Sequence, residues 1–277
     1  MHPKTIPPLR SLLGRLGAAG RAFWRCDGPS WAAAIAYYSL LSLIPLLLVL
    51  AAAAAVVVDP KWAVALATHY LGGYLPQGAA PVWQAATHAL DAWRHRGWLF
   101  VLPLLWTGSL VFGALDRALN IAFDSAGRSG LLKRLAVRLA MLLTLGALFV
   151  VALLTQLALG AVVALRPQPA DHWALGALAL AAPALLLWLA FLLAYRLVPR
   201  QRPAWRLAAV GAGVATALLY FVRPLFLGYV ARVASYGLVY GPLAGVVVAV
   251  LWSWIFAMVM LYGGQVASSL DDRTPGC

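Results

Sequence analysis

Long apolar runs with very few charges restrict what this chain can fold into more than any other feature. A membrane-spanning helix needs about 20 mainly apolar residues at a rise of about 1.5 Å per residue. Backbone polar groups in lipid must be satisfied within the segment itself, so such runs predict an all-α, polytopic membrane bundle of about six transmembrane helices. The six runs are 31–58, 98–122, 135–165, 173–198, 205–230 and 239–269.

Charge is scarce and strongly basic. The chain is 64% hydrophobic and 10% charged, and 21 Lys and Arg residues face 8 acidic residues, all of them Asp. A soluble domain is about a quarter charged, so a water-exposed surface is excluded for most of this chain. The net charge of +13 would suggest a nucleic-acid partner only if positions were ignored.

The positions of the basic residues report topology instead. With the N-terminus placed in the cytoplasm, thirteen of the 21 Lys and Arg residues fall on the inner side, including Arg196 and Arg206 at the inner ends of their runs, and five fall on the outer side. The other three, which lie farther inside the runs, are not counted. Basic residues flanking transmembrane helices are retained on the cytoplasmic side. The distribution therefore predicts that both termini are cytoplasmic, and it predicts no nucleic-acid partner.

The chain divides into three regions around these runs. Residues 1–30 form a basic cytoplasmic segment, in which apolar and arginine side chains between Leu9 and Trp24 separate onto two helical faces. This pattern predicts an amphipathic helix lying on the cytoplasmic membrane surface. Residues 31–270 form the membrane domain, including an outward-facing helical hairpin at 59–97 between the first two spans, and residues 271–277 form a cytoplasmic tail.

Polar positions within the runs are candidates for a functional site, because polar groups in lipid are costly. Arg223 lies near the predicted outer end of its span, beside Pro224, where a cation next to a disturbed helix could hold a lipid phosphate; simple snorkelling is the alternative. The deep middle contains no carboxylate, which argues against a proton-coupled pump. Other uncharged or interfacial positions, namely Tyr38, Ser42, Asp116, Asn120 and Gln265, indicate either a polar path or helix-packing contacts.

Catalytic and metal-binding patterns are absent from the sequence. The five His residues are scattered over the terminus and the outward connections. Cys26 and Cys277 have neither metal-ligand spacing nor a disulfide framework. No nucleophile stands with a base, and no glycine-rich phosphate loop precedes a helix. The sequence thus predicts a protein that is not an enzyme and that has no catalytic residues, metal or cofactor.

Particular strings carry a resemblance to a known family. The opening of the first run, WAAAIAYYSLLSLIP from Trp31 to Pro45 and preceded by Asp27, resembles the YihY/BrkB family of bacterial inner-membrane proteins. The last third of the chain is similar to the family's C-terminal pattern, including YRLVP ending at Pro199, LFLGY from Leu225, VYGPLAG from Val239 and LYGGQ ending at Gln265. The family usually has an acidic residue where this chain has Gln265.

The resemblance implies a bacterial inner-membrane, multi-pass protein of the cell envelope. The family was once labelled ribonuclease BN, a name now regarded as misassigned, and more recent ideas place relatives in envelope lipid transport or homeostasis. Expected partners are membrane lipids, of anionic phospholipid or lipid A type, and a periplasm-spanning lipid-transport protein; a homo-oligomer is compatible with the sequence.

Two functions remain open at this point, and a third is disfavoured. The first is assistance in the transport or homeostasis of an amphiphilic envelope lipid. The second is a non-transporting membrane scaffold for an envelope assembly. An integral-membrane ribonuclease is disfavoured because no catalytic constellation is visible. The candidate lipid-contact or polar-path residues are Arg223, Arg232, Tyr236, Tyr240, Tyr38, Ser42, Asp116, Asn120 and Gln265.

Overall fold

The computed structural model describes residues 9–57, 98–123, 172–232 and 244–271, together with several positions between 144 and 155. Every regular element in these ranges is helical, so the all-α prediction is confirmed for the described part of the chain. The helices are α1 (Leu9–Arg25), α2 (Gly28–Val57), α3 (Trp98–Ala122), α4 (His172–Leu197), α5 (Trp205–Arg232) and α6 (Ala244–Ser269). The predicted hairpin at 59–97, most of the predicted span at 135–165 and most of the predicted tail at 271–277 lie outside the described residues.

Two of these helices are long and apolar enough to cross a membrane. By length and composition, the qualifying stretches in the described residues are Trp205–Ala231 of α5 and Gly245–Ser269 of α6, and Ala181–Leu197 of α4 is a shorter apolar helix. Helix α5 continues through Pro224. The expectation that Pro224 interrupts this helix beside Arg223 is therefore wrong.

The chain forms two compact units, whose boundaries fall within helices α2, α3, α5 and α6. Of the described residues, the first unit contains α1, α4, α2 up to Ala32, α3 from Phe112, α5 up to Arg223 and α6 from Phe256. The second unit contains α2 from Ala33, α3 up to Val111, α5 from Pro224 and α6 up to Ile255. Aromatic packing in the second unit includes the Phe226 and Trp252 rings, whose centroids are 5.0 Å apart.

Cys26 and Asp27 connect α1 to α2 in the first unit. Asp27 has a positive φ of 57°, a conformation that Asp tolerates better than most side chains. Its carboxylate accepts a hydrogen bond from the Ser30 hydroxyl at 2.7 Å, and its carbonyl accepts one from the Trp31 N–H at 3.2 Å. Asp27 therefore accepts the first hydrogen bond of α2 through its backbone carbonyl, and its side chain binds the Ser30 side chain in the first turn.

Helix α1 packs on the protein through its apolar face. Ala19 is fully buried in a cluster with Leu207 of α5 and Val266 of α6, and Leu16 packs against that cluster. Arg15 donates to the Ser269 and Leu270 carbonyls at 3.4 and 3.5 Å, and the Tyr262 hydroxyl donates to the Leu16 carbonyl at 3.2 Å. Helices α5 and α6 therefore cover the part of the apolar face that includes Leu16 and Ala19, while the position of α1 on the membrane surface stays a prediction.

The residue that follows α1 also differs from expectation. Cys26 is disulfide-bonded in this structure. The prediction that this cysteine takes part in no disulfide is therefore wrong.

Helices α5 and α6 approach each other closely at two glycines of the first unit. A Cβ placed on Gly211 would lie 2.5 Å from the Gly263 carbonyl oxygen, and one placed on Gly263 would lie 2.7 Å from the Ala215 Cβ. These distances are shorter than van der Waals contact, so any larger residue at either position would push the two backbones apart. Small residues commonly allow this kind of contact between membrane helices.

Candidate functional site

Asp116 and Asn120 of α3 are brought together and tied to the α4–α5 connection. The Asn120 side-chain amide donates to the Asp116 carboxylate at 2.7 Å and to the Asp116 carbonyl at 2.6 Å. The Asn120 side-chain oxygen accepts a hydrogen bond from the Arg200 backbone N–H at 3.0 Å. Asn120 is buried, so these bonds satisfy polar groups that cannot reach water freely. This geometry gives the pair a linking role in the first unit.

The connection that Asn120 binds is held by a second set of contacts. The Arg196 guanidinium donates to the Pro203 carbonyl at 2.8 Å and lies over the Trp205 ring, 5.1 Å from its centroid. Cation–π contact and the hydrogen bond together fix the turn between α4 and α5. The YRLVP string, which carried part of the family resemblance and contains Arg196, therefore has a structural explanation.

Gln265 lies in a closely packed part of the first unit. Its side chain is 2% exposed, and it directly follows Gly263 and Gly264. A Cβ on Gly264 would lie 2.7 Å from a Leu119 methyl carbon, and one on Gly263 would lie 2.6 Å from the Tyr195 hydroxyl oxygen. The Tyr195 hydroxyl itself donates to the Met260 carbonyl at 2.6 Å. The LYGGQ string thus lies where α3, α4 and α6 meet.

Tyr38 and Ser42 of α2 belong to the second unit, and both are half-buried. The Ser42 hydroxyl donates to the Ser39 carbonyl of its own helix at 2.8 Å. Tyr236 and Tyr240 lie outside the described residues. Arg232 is the last residue of α5, and its side chain also lies outside the description.

Arg223 is an exposed guanidinium on a helix that otherwise exposes large apolar side chains. Phe221 is 66% exposed and Leu225 is 59% exposed on the same stretch of α5. At about 1.5 Å per residue, Arg223 lies about 27 Å along the helix from Trp205 at its start, close to the thickness of a hydrocarbon core. The structure therefore places this cation on an apolar outer surface of α5.

Two further polar residues share a face of α5 with Arg223, and the sequence reasoning did not identify them. Thr216 and Tyr220 precede Arg223 by seven and three residues, a spacing that puts all three on one side of a helix. Thr216 is 9% exposed, and its hydroxyl has no hydrogen-bond partner in the described part of the structure. The i, i+4, i+7 spacing was visible in the sequence, although burial was not.

A family model described as Virulence factor BrkB matches residues 19–276 of the chain. The chain belongs to the BrkB family. This result confirms the resemblance carried by the Trp31–Pro45 and LYGGQ strings. Together with the apolar helices α5 and α6, it indicates a membrane protein.

Curated relatives of this BrkB-family chain include proteins named as membrane proteins and one named as a ribonuclease-like protein. A UPF0761 membrane protein of Mannheimia succiniciproducens is 28% identical over 246 residues, covering 87% of this chain and 84% of the relative. A UPF0761 membrane protein of Haemophilus influenzae strain 86-028NP is 28% identical over 173 residues, covering 62% of this chain and 63% of the relative. A Bacillus subtilis protein, YfkH, whose name describes it as ribonuclease-like, is 28% identical over 263 residues, covering 89% of this chain and 91% of the relative.

No solved structure matches this BrkB-family chain. Within the residues that the structure describes, no group of three or more His, Cys, Asp or Glu side chains is arranged to hold a metal ion.

Proposed function

We propose that this BrkB-family protein assists the transport or homeostasis of an amphiphilic envelope lipid at the bacterial inner membrane, and that it does so without enzymatic chemistry. In this proposal the chain crosses the membrane about six times with both termini in the cytoplasm. The excess of Lys and Arg on the predicted inner side supports that orientation. The length and apolar character of α5 and α6 support a membrane-spanning bundle.

The observation that carries the proposal is the exposure of Arg223 on an apolar helix. A guanidinium in or near hydrocarbon is costly unless it snorkels to the interface or meets an anion. Phosphate is a strong ligand for Arg because it accepts two parallel hydrogen bonds from the planar guanidinium. A phospholipid offers both a phosphate for Arg223 and an acyl chain for the exposed Phe221 side chain.

Replacing Arg223 with Ala tests this role. Protein extracted in mild detergent should retain less phospholipid in the Arg223→Ala variant than in the wild type, by native mass spectrometry. Arg206→Ala is the matched control, since Arg206 is also exposed on α5 but lies at the opposite end of the helix. Unchanged lipid retention and a normal envelope phenotype in Arg223→Ala cells would contradict the proposal.

A non-transporting scaffold is the second candidate, and one feature of α1 favours it. Trp24 is 68% exposed, and Arg21 and Arg25 beside it are exposed as well, so the face of α1 opposite its packed side is open to a partner. Deleting residues 61–95 separates the two functions. A scaffold should lose its envelope partner while the purified wild-type protein moves no lipid, whereas a transporter should move lipid in reconstituted vesicles.

A further inference from the structure

The face of α5 that carries Arg223 changes from packed to open along its length. Nearest the helix start, the Trp188 indole of α4 donates to the Ala209 carbonyl at 3.1 Å, and a Cβ on Gly213 would lie 3.9 Å from the same indole nitrogen. Ala209, Gly213 and Thr216 follow one another at spacings of four and three residues, so α4 covers this face there. All of these residues belong to the first unit.

Farther along the same face of α5, each successive polar side chain is more exposed than the one before it. Thr216 is buried, Tyr220 is half-buried and Arg223 is exposed. On α4, Leu185 lies one turn before Trp188 and is 62% exposed, which shows that this side of α4 is also open. A helix turns about 100° per residue, so the three α5 side chains fall within an arc of about 60° and span about 10 Å along the axis.

The three side chains together make an unusual set for an apolar helix. Thr and Tyr hydroxyls can donate and accept a hydrogen bond, whereas a guanidinium can only donate. Buried polar atoms in folded proteins nearly always have a partner, and an exception calls for an explanation such as an absent ligand. The Thr216 hydroxyl is such an exception among the described residues, since it is buried and has no partner.

We infer that Thr216, Tyr220 and Arg223 form a binding stripe for the phosphate-containing headgroup of a phospholipid that enters from the bilayer. Arg223 at the open end pairs with the phosphate, and the Thr216 hydroxyl at the closed end binds the most deeply inserted headgroup oxygen. The acyl chains stay outside with the exposed apolar side chains of α5. This inference rests on the proposed lipid function and adds two residues and a mode of entry to it.

The test measures binding of a fluorescent short-chain phosphatidylglycerol to the full-length protein in detergent. Thr216→Val removes the hydroxyl while keeping the side-chain shape. We expect this variant to bind the lipid about tenfold more weakly, because it loses one hydrogen bond to the headgroup. Thr107→Val is the matched control, because Thr107 is also buried but its hydroxyl already donates to the Pro103 carbonyl at 2.7 Å. Thr107→Val should bind like the wild type, and Thr216→Ser, which keeps a hydroxyl, should bind nearly as well.

The outcomes separate this inference from the proposed function. Weaker binding in Arg223→Gln with normal binding in Thr216→Val would overturn the stripe and leave the lipid function standing. Weaker binding in Thr216→Val, without lipid transfer by the wild-type protein in vesicles, would support the stripe and overturn transport. Equal losses in Thr216→Val and Thr107→Val would also overturn the stripe, because they would report damage to the fold.

A competition experiment identifies the source of the phosphate. If the stripe takes a lipid, millimolar inorganic phosphate should not displace the fluorescent phosphatidylglycerol, because the free ion lacks acyl chains. Displacement by inorganic phosphate at that concentration would overturn the assignment to a lipid headgroup.

Discussion

Asn120 shows how a single side chain can connect distant parts of a membrane protein. Its amide group makes hydrogen bonds to Asp116 on its own helix and to the backbone of Arg200, 80 residues farther along the chain. In an environment of low dielectric constant, a buried amide with satisfied donors and acceptor stabilises one arrangement of the chain. Removing it leaves the Arg200 N–H without this acceptor.

We therefore expect Asn120→Ala to lower the free energy of unfolding by about 1–3 kcal/mol, because the variant loses the three hydrogen bonds that the buried Asn120 amide makes. Thermal unfolding in detergent, followed by circular dichroism, measures the change. Ser109→Ala is the control, because the Ser109 hydroxyl is exposed and bonds to the Trp106 carbonyl of its own helix at 2.7 Å. An Asn120→Ala variant as stable as the Ser109→Ala variant would show that the α3 link to the α4–α5 connection contributes little.

Between elements, the contact of α5 with α6 depends on the absence of side chains. At Gly263, an added Cβ would meet the Tyr195 hydroxyl oxygen at 2.6 Å, the Ala215 Cβ at 2.7 Å and the Gly211 carbonyl oxygen at 2.9 Å. Two of these atoms belong to α5 and one belongs to α4. A methyl group at this position cannot be accommodated by rotating one flexible side chain, so whole helices would have to move.

Gly263→Ala should therefore destabilise the protein by about 1–3 kcal/mol, as overpacking does in other cores, although Ala is the better helix former. Gly245→Ala is a matched control in the same helix, because nothing lies within 4 Å of the Cβ position at Gly245. The control should be neutral or slightly stabilising. Equal melting temperatures for the two variants, measured in the same detergent, would contradict the close-contact description of α5 and α6.

The sequence predicted helix existence and helix ends well, because both depend on local apolar length. The runs 98–122 and 173–198 correspond closely to α3 (Trp98–Ala122) and α4 (His172–Leu197). Contacts between helices were not predictable in this way. In the sequence, Gly263 and Thr216 look like other small or hydroxyl residues, because only their neighbours in the structure distinguish them. The apolar face of α1 could equally well contact a membrane surface or the side chains of Val266 and Leu207. Which of these covers the face is decided by residues far away in the sequence.

For the whole molecule, the testable statement is the proposed topology with both termini in the cytoplasm. Alkaline phosphatase is active only outside the cytoplasm. Green fluorescent protein fluoresces only inside the cytoplasm, because it does not fold correctly after export in unfolded form. Fusions after Arg202 and after Asp271 should fluoresce, whereas a phosphatase fusion after Gly78 should be active. As controls, phosphatase fused after Arg202 or Asp271 should be inactive, and green fluorescent protein fused after Gly78 should not fluoresce. Phosphatase activity after Asp271 would contradict the orientation drawn from the basic residues.

The packing of α1 against α6 has a consequence for how the protein is made. Arg15 and the Ser269 carbonyl that it binds are 254 residues apart. At a synthesis rate of about 5–20 residues per second, α1 leaves the ribosome roughly 10–50 seconds before its partner helix exists. During that interval its apolar face has no protein to cover it, and a membrane surface is the nearest substitute. Docking of the first helix is therefore a late step of biogenesis, and a chain truncated before α6 should expose α1 to proteases.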